Sequence, residues 1–338
     1  KIGGILKAMK EIRWGIMATG SICRTFVKEF EFVSAGRVEA VSSRNEASAQ
    51  TFAKELKIPQ VFPSHEALAA SDQVDVIYIG SPHTSHFAMT KLCLEHGKHV
   101  LCEKPLTLNS RQSKELYQLA QDRGCFLMEA MWSRFNPALI KAKQLVDSGE
   151  IGDVIQVQAN FGFVSDDAPD SRLRNPELAG GALLDVGIYP LFLAQLLLGA
   201  PESINSRVKM GPTGVDLQED IWLGYGESDA RATLSAAIDA NYPITCFIAG
   251  SKGRIDFDEG WFFAKHLWLT TEQFHRRKLE FPFEGMGYSF EAEHVQACIR
   301  DGLLESPLFS HEDSLQLMAT MDHLRDEWGL VYPSETQA

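Results

Sequence analysis

Val100-Leu101-Cys102-Glu103-Lys104-Pro105 is a short apolar run that ends in an acid, a cation and a proline. Such a run is typical of a strand, and its charged end means that the chain leaves the sheet abruptly. Ligands of open α/β sheets bind at the carboxyl ends of the strands. Lys104 is therefore the first candidate for chemistry. A solvated lysine in a turn is the alternative that the stretch alone leaves open.

Strand and helix patterns alternate on both sides of this stretch. The segment 74–80 is nearly continuously apolar, as in strands that are buried in a parallel sheet. Further strand patterns occupy 11–17, 37–42, the residues around Val61, 98–102 and 125–130, and helical patterns lie between them at 21–30, 46–56, 64–70, 87–96 and 109–122. This alternation predicts an α/β fold in which residues 9–130 form a doubly wound parallel sheet of the Rossmann type.

The first predicted strand leads into the turn Ala18-Thr19-Gly20-Ser21-Ile22 and then into a helix. In this context backbone N–H groups and the helix N-terminus face a pyrophosphate. Only the middle glycine of a G-x-G-x-x-G pattern is present, as Gly20, and it is the one that lets the backbone approach phosphate. The turn predicts dinucleotide binding. A plain strand–helix turn without a ligand is the alternative.

The second predicted strand ends in Ser43-Arg44. NAD enzymes usually place an acid here for the ribose 2′-hydroxyl, whereas small hydroxyls with an arginine suit a 2′-phosphate. We therefore predict NADP rather than NAD as the cofactor, with an ordinary surface arginine as the alternative.

Two histidines follow the apolar segment 74–80, in the sequence Ser81-Pro82-His83-Thr84-Ser85-His86. We expect His83 and His86 to cap the next helix and to contact a cofactor ribose. Their three-residue spacing also suggests a metal. No carboxylate or cysteine completes the pair at a recognisable ligand spacing, so no metal site is predicted.

The composition limits the possible partners and compartments. A formal net charge of −13 argues against nucleic acid, which is held chiefly by Lys and Arg. The most apolar segment, 182–200, still contains polar residues and is expected to be a buried helix rather than a membrane span. Six cysteines without a CxxC pair favour a reducing, cytoplasmic setting. Residues 1–8 are expected to be foreign to the natural chain.

The pattern changes after residue 130. A helix is expected from 131 to 148, and alternating or extended stretches then lie at 154–161, 206–210, 231–239, 245–257 and 262–281. Alternation predicts a largely antiparallel, open sheet with one covered face in an α+β domain, residues 131–307, that binds substrate. Its uncovered face is expected to form a homodimer. Helices are predicted at 288–300 and 310–327, and the segment 308–330 is expected to return to the first domain.

A second informative stretch is Gly180-Gly181-Ala182-Leu183-Leu184-Asp185-Val186-Gly187-Ile188-Tyr189-Pro190. Adjacent glycines allow a ligand to approach the backbone, and Asp185 and Tyr189 stand four apart, on one face of a helix. A carboxylate and a phenol on an apolar helix predict a reactive site. A buried capping Asp and a core Tyr are the alternative.

These motifs occur in an order and at spacings that resemble the glucose–fructose oxidoreductase/inositol dehydrogenase (Gfo/Idh/MocA) family across nearly the whole chain. Ala18 replaces the family's usual first glycine. The segments 129–135 and 178–189 look most like the branch of dimeric dihydrodiol dehydrogenases, which also oxidise D-xylose with NADP. In that branch a tyrosine, here Tyr189, replaces the commoner histidine.

The resemblance implies hydride transfer between nicotinamide and a carbinol carbon of a sugar, polyol or trans-dihydrodiol. Tyr189 is the expected proton acceptor, Lys104 the cation that lowers its pKa and holds the substrate oxygen, and Asp185 an orienting partner. Trp132 is expected to form an aromatic wall of the substrate pocket, with a core tryptophan as the alternative, and Arg172 to approach the substrate or the nicotinamide. Glu103 and Pro105 are expected beside the cofactor.

Two other functions stay open at this point. One is the reduction of an imine or a biliverdin-like substrate on the same scaffold. The other is a non-catalytic protein that senses a dinucleotide, although such a sensor would need none of Lys104, Asp185 and Tyr189.

Overall fold

The computed structural model of the chain describes residues 11–226, 228–271 and 275–336. The segment 1–8, expected to be foreign to the natural chain, lies outside these residues. The described residues form two sheets with helices against them.

The first sheet is the predicted doubly wound parallel sheet. Its strands, in the spatial order β3-β2-β1-β4-β5-β6, are β1 Ile12–Met17, β2 Gly36–Ser42, β3 Gln60–Phe62, β4 Val76–Ile79, β5 His99–Glu103 and β6 Leu127–Ala130. The connecting helices are α1 Ser21–Lys28, α2 Glu46–Leu56, α3 His65–Ala70, α4 His83–Glu95 and α5 Ser110–Arg123, and a 3₁₀ turn spans Glu29–Phe32. All strand pairs are parallel, which confirms the prediction.

The strand order reverses between β1 and β4, and this position fixes the ligand cleft. Every residue of β4 is buried, because helices cover both faces of the sheet. The turn that begins at Ala18 follows β1, and Ser81 follows β4 after one glycine. Ligands of open α/β sheets bind in the crevice at such a switch point.

The second sheet is mixed but mostly antiparallel. Its order is β14-β13-β12-β11-β7-β10-β9-β8, with β7 Val154–Gly162, β8 Ser203–Met210, β9 Asp216–Tyr225, β10 Ala230–Ala237, β11 Cys246–Gly250, β12 Gly253–Phe257, β13 His266–Thr271 and β14 Arg276–Glu280. The pair β7–β10 is parallel, in the register Val157 to Ala232, and the other pairs are antiparallel. This confirms the predicted largely antiparallel sheet.

Two predicted helices are interrupted in the structure. The expected helix over 131–148 is a 3₁₀ turn, Trp132–Phe135, followed by α6 Pro137–Asp147. The break arises because Pro137 holds Asn136 in an extended conformation, with ψ of 128°, and the Asn136 side chain then caps α6. The helix after the paired glycines likewise starts as a π-helical turn, Leu183–Gly187, and continues as α7 Ile188–Leu198.

The apolar segment Pro176–Leu198 has the length and composition to cross a membrane, but 78% of its most apolar window is buried inside the protein. That burial is the pattern of a core helix. A short 3₁₀ turn, Pro176–Leu178, begins the segment.

The remaining helices are α8 Tyr288–Arg300, α9 His311–Trp328 and α10 Pro333–Thr336, and a 3₁₀ turn spans Trp261–Phe263. Helix α9 contacts the first sheet's helices as well as α7. Asp322 of α9 accepts a hydrogen bond from the Ser110 N–H at the start of α5, and the Gln195 side chain of α7 donates to the Asp313 carbonyl. These contacts join α9 to α5 of the parallel half and to α7, which packs on the second sheet.

Candidate active site

A cavity of about 400 Å³ lies between the carboxyl edge of the parallel sheet and the π-helical turn. It brings together residues from both predicted motifs. Its lining consists of Gly20, Ser21, Ile22, Thr25, Gly80, Ser81, Pro82, His83, His86, Glu103, Lys104, Arg172, Leu178, Asp185, Tyr189 and Tyr288.

A second cavity of about 430 Å³ shares part of this lining and extends toward the end of β2. Gly20, Gly80, Ser81 and Pro82 belong to both cavities, so the two form one groove. The second cavity adds Ala18, Thr19, Ser43, Arg44, His65, Thr84, Ser85, Ala88 and Met89. The structure thus places both predicted cofactor motifs along one groove.

Lys104 lines the first of these cavities and lies just after β5. Its ammonium Nζ donates to the backbone carbonyl of Asp185 at 2.6 Å and lies 3.9 Å from the carboxylate Oδ1 of the same residue. It also lies 5.1 Å from the centroid of the Tyr189 ring. The three predicted catalytic residues therefore form one cluster, although they come from two separate parts of the fold.

Asp185 is held as a carboxylate between two cations. Arg172 donates from Nη1 to Asp185 Oδ1 at 2.8 Å. Burial favours the neutral acid, but the charges of Lys104 and Arg172 outweigh this effect and hold the pKa of Asp185 at about 2. Asp185 is therefore an acceptor at neutral pH, and it orients both cations.

The π-helical turn gives Asp185 its position. The Leu183 N–H, at the start of the turn, donates at 2.6 Å to the buried Asp216 side chain on β9. The turn widens the helix here, so the Asp185 carbonyl reaches Lys104, and both Asp185 and Tyr189 line the cavity. Such π-helical turns often occur at functional sites.

Tyr189 is nearly buried, and its hydroxyl oxygen accepts a hydrogen bond from Trp132 Nε1 at 2.8 Å. Burial, with a smaller effect of the Glu103 carboxylate, raises the pKa of Tyr189 well above its ordinary value. This direction is opposite to the expected lowering by Lys104. The reason is that the ammonium faces the ring while burial penalises the phenolate, so Tyr189 carries its proton at neutral pH.

Trp132 lies behind Tyr189 and does not belong to the cavity lining. Its ring stacks on Tyr288 with the centroids 4.2 Å apart, and Tyr288 itself reaches the cavity. The predicted aromatic wall is therefore formed at this point by Tyr288, and Trp132 supports both tyrosines from behind.

His83 and His86 do not cap their own helix, whose N-cap is Pro82. The Nδ1 atom of His83 lies 3.0 Å from the Ala179 carbonyl, and the two ring nitrogens of His86 lie 2.7 Å from the Pro105 carbonyl and 2.9 Å from the Ser81 carbonyl. The expected capping is thus corrected, because both histidines lie within the helix and their ring nitrogens contact the backbone carbonyls of Ala179, Pro105 and Ser81. Burial lowers the pKa of His83 to about 3.

Glu103 is buried and lines the same cavity as Gly20 of the glycine turn. It accepts a hydrogen bond from the Tyr78 hydroxyl at 2.5 Å, and burial raises its pKa to about 7. Pro105 lines neither cavity but supplies the carbonyl that contacts His86.

The sequence reasoning missed His65, which lines the second cavity beside Arg44. Its ring Nδ1 lies 2.8 Å from the Ser42 hydroxyl at the end of β2. The available signal was its place just after β3, at the same carboxyl edge of the sheet. Among the described residues, no three His, Cys, Asp or Glu side chains cluster as metal ligands would.

Two stretches of the chain match sequence models of known domains. Residues 12–131 match the domain described as "Oxidoreductase family, NAD-binding Rossmann fold", and residues 139–256 match the "GFO/IDH/MocA C-terminal domain". The chain belongs to the Gfo/Idh/MocA oxidoreductase family. The family and the class of enzyme predicted from the sequence are thereby confirmed.

Curated relatives match this chain over almost its entire length. The trans-1,2-dihydrobenzene-1,2-diol dehydrogenase of Xenopus laevis is 38% identical over 336 residues, which cover 95% of this chain and 99% of the relative. The enzyme of the same name from Homo sapiens is 33% identical over 339 residues, which cover 96% and 99%.

Solved structures share the fold of this chain. The 3-ketoreductase KijD10 from Actinomadura kijaniata, in complex with NADP and TDP-benzene, has a TM-score of 0.83 at 27% identity, covering 94% of this chain and 97% of that chain. The aldose-aldose oxidoreductase from Caulobacter crescentus, complexed with glycerol, has a TM-score of 0.85 at 24% identity with the same coverage. At this identity, the likeness to the aldose-aldose oxidoreductase shows a shared fold alone.

Proposed function

We propose that this oxidoreductase uses NADP to transfer a hydride to or from a carbinol or carbonyl carbon of a trans-dihydrodiol, sugar or polyol. The observation that carries the proposal is the cluster of Lys104, Asp185 and Tyr189 in a cavity that continues into the glycine-turn groove. The relatives named as dihydrodiol dehydrogenases support the first substrate class, and the 3-ketoreductase solved with NADP supports a carbonyl carbon and NADP.

The groove fits a dinucleotide. Gly20 is the N-cap of α1 and has no side chain that would compete for the first helical N–H groups, so these suit a pyrophosphate. Ser43, Arg44 and His65 line the far end, where they would hold a 2′-phosphate. Ser81, Pro82, Glu103 and the two histidines line the end beside Lys104, where they would surround the nicotinamide and its ribose.

The residues of the chain account for the proton that accompanies hydride transfer. Nicotinamide, when bound, supplies or accepts the hydride at C4. The protonated hydroxyl of Tyr189 donates its proton to a carbonyl oxygen during reduction, and the phenolate left behind regains a proton from solvent. In the oxidation direction the hydroxyl first gives its proton to solvent, and the phenolate then takes the proton of the substrate hydroxyl. Lys104 holds the same oxygen and stabilises its charge. Asp185 keeps the ammonium in place, and Arg172 in turn holds Asp185.

We further propose a homodimer through the outer face of the second sheet. Trp222 on β9 is 41% exposed on that face, opposite Thr233 of β10. Aromatic residues are enriched at protein interfaces relative to the rest of the surface. Sedimentation at micromolar concentration is expected to give twice the monomer mass, and a 37.6 kDa species alone would remove the proposal.

The six cysteines are free and buried. Free, buried thiols suit a reducing compartment. On this ground we propose that the enzyme acts in the cytoplasm.

The test measures absorbance at the reduced-nicotinamide band with NADP⁺ and, in parallel, NAD⁺. The panel contains trans-dihydrodiols, D-xylose, other aldoses and polyols, and the reverse assay offers ketones, imines and biliverdin. Reduction of NADP⁺ by a dihydrodiol or a sugar is the expected result. Turnover of imines or biliverdin alone would replace the proposal by a reductase of such substrates. Tight NADP binding without any turnover would replace it by a non-catalytic protein that senses a dinucleotide.

A further inference from the structure

Two carboxyl groups of β9 lie in the core directly beneath the π-helical turn. Asp216 and Glu219 have exposed fractions of 0% and 1%. One oxygen of Asp216 accepts the Leu183 N–H, but Asp216 Oδ1 and both oxygens of Glu219 have no donor among the residues that the structure describes. Unpaired carboxylate oxygens in a core are costly, so this pair needs an explanation.

The glycines of the second motif make room for these two acids. A Cβ on Gly181 would overlap Asp216 Oδ1, and a Cβ on Gly187 would overlap Glu219 Oε1. Gly181 precedes the turn Leu183–Gly187, and Gly187 is its last residue. The acids therefore contact the chain on both sides of Asp185, which lies in the middle of the turn.

Two facing carboxylates cannot both be ionised in a dry interior, because their repulsion adds to the cost of burying each charge. One shared proton turns Glu219 into a donor and Asp216 Oδ1 into its acceptor. It thereby converts two unpaired groups into a hydrogen bond. Burial raises the pKa of both residues, and the neighbouring charge of Asp216 raises that of Glu219 further, so Glu219 carries the proton.

Other titratable groups around the pair strengthen this assignment. The carboxylate of Asp220 also raises the pKa of Glu219. Outside β9, the phenol of Tyr332 is influenced by the charges of both acids and that of Tyr242 by Glu219, and burial raises the pKa of both phenols. The Tyr332 hydroxyl donates to the Gly180 carbonyl at 2.9 Å, so it holds the same glycine segment from the other side.

We propose that Asp216 and Glu219 share one proton and act as positioning residues that hold the π-helical turn, and through it Asp185 and Lys104, in the reactive arrangement. The path is short. Asp216 fixes the Leu183 N–H, and two residues later the Asp185 carbonyl accepts from Lys104 at 2.6 Å. An effect of this pair on catalysis depends on the proposed function, whereas the shared proton is independent of it.

The first experiment needs no substrate. Glu219→Gln keeps the size of the side chain and donates an amide N–H to Asp216 without a titratable proton. An infrared difference spectrum between wild type and Glu219→Gln at neutral pH is expected to show the carbonyl stretch of one buried, neutral carboxylic acid in the wild type only. Absence of this band from the difference spectrum would overturn the shared proton, whatever the enzyme's substrate.

The second experiment measures turnover with a substrate found active. Glu219→Ala, which leaves Asp216 without a donor, is expected to lower kcat about ten- to a hundredfold with an NADP KM within about twofold of wild type, since only the turn is displaced. Glu219→Gln is expected to retain kcat within about threefold and to move the alkaline limb of the pH profile, because its donor cannot ionise.

The matched control is Tyr225→Phe on the same strand, which removes a buried hydroxyl that has no hydrogen-bond partner among the residues that the structure describes. It is expected to leave kcat and the pH profile unchanged. Equal kcat in wild type, Glu219→Ala and Glu219→Gln would overturn the positioning role, as would an equal loss in both variants. If Glu219→Ala does not fold, the infrared band and the pH profile of Glu219→Gln decide the question.

Discussion

Trp132 donates a hydrogen bond from its indole Nε1 to the hydroxyl oxygen of Tyr189 over 2.8 Å. The bond occupies a lone pair of the phenol, so the phenolic proton is free to point away from the indole. Stacking on Tyr288 fixes the indole plane. A residue outside the cavity lining thus sets the direction in which Tyr189 can exchange its proton.

Trp132→Phe removes this donor and keeps an aromatic ring in its place. We expect kcat to fall roughly tenfold, the equivalent of one ordinary hydrogen bond, with little change in NADP affinity. Steady-state kinetics at saturating NADP⁺ measures the effect. Trp328→Phe is the control, because the Trp328 indole donates a bond of the same length to Ser206 away from the cavity. An equal loss in both variants would contradict the orienting role.

Arg44→Ala is expected to weaken NADP binding roughly tenfold or more while leaving NAD binding unchanged. The reason is that a 2′-phosphate would lose a charge-assisted hydrogen bond, which NAD never forms. Quenching of protein fluorescence by each cofactor gives the two dissociation constants. Arg111→Ala, an exposed arginine on α5, controls for the change in net charge. An NADP constant within about twofold of wild type would refute the assignment.

Ala18 has a φ of 93°, in the region that favours glycine. Ala18→Gly is therefore expected to stabilise the fold by about 1 kcal/mol, because the strain that it relieves exceeds the backbone entropy that glycine adds to the unfolded chain. Urea denaturation measures the change. Ala319→Gly, at an exposed helical position on α9, is expected to destabilise by about 1 kcal/mol. A loss of stability in Ala18→Gly would show that the turn is unstrained.

Glu103 makes the stability depend on pH. Burial raises its pKa to about 7 in the folded state, above the ordinary value of about 4.3 in the unfolded chain. Its stabilising contribution is therefore fully present below about pH 4.3 and is lost as the pH rises to 7. The free energy of unfolding of wild type relative to Glu103→Gln is expected to fall over this window, by at most ~1.4 kcal/mol per pH unit. A difference that does not vary with pH would contradict the assignment.

The parallel half of the fold was predictable because each element carries its own signal. The apolar segment around β4 and the glycine turn after β1 indicate their structure without reference to distant residues. Helix α8, Tyr288–Arg300, was predicted with its observed bounds for the same reason. Strand β9 was missed, because Asp216, Glu219 and Asp220 argue against a strand when they are judged locally. Asp216 and Glu219 are buried because the π-helical turn lies over them, and a local sequence pattern does not show such a tertiary contact.

The candidate site also contains residues that local motifs predicted and contacts that they did not. The motifs and the family resemblance identified Lys104, Asp185 and Tyr189, and the structure brings these residues together. The π-helical turn was not predictable, since it depends on a hydrogen bond from Leu183 to Asp216, 33 residues away. The carbonyl contacts of His83 and His86 also join distant segments.

The central claim is that Tyr189 exchanges the substrate proton beside Lys104. The most direct test is single-turnover absorbance of the reduced-nicotinamide band in Tyr189→Phe, with NADP dissociation constants measured on the same samples. We expect the rate to fall by ~10²–10⁴ while NADP affinity stays within about twofold of wild type. Hydride transfer at the wild-type rate in Tyr189→Phe, with the cofactor bound, would contradict the account.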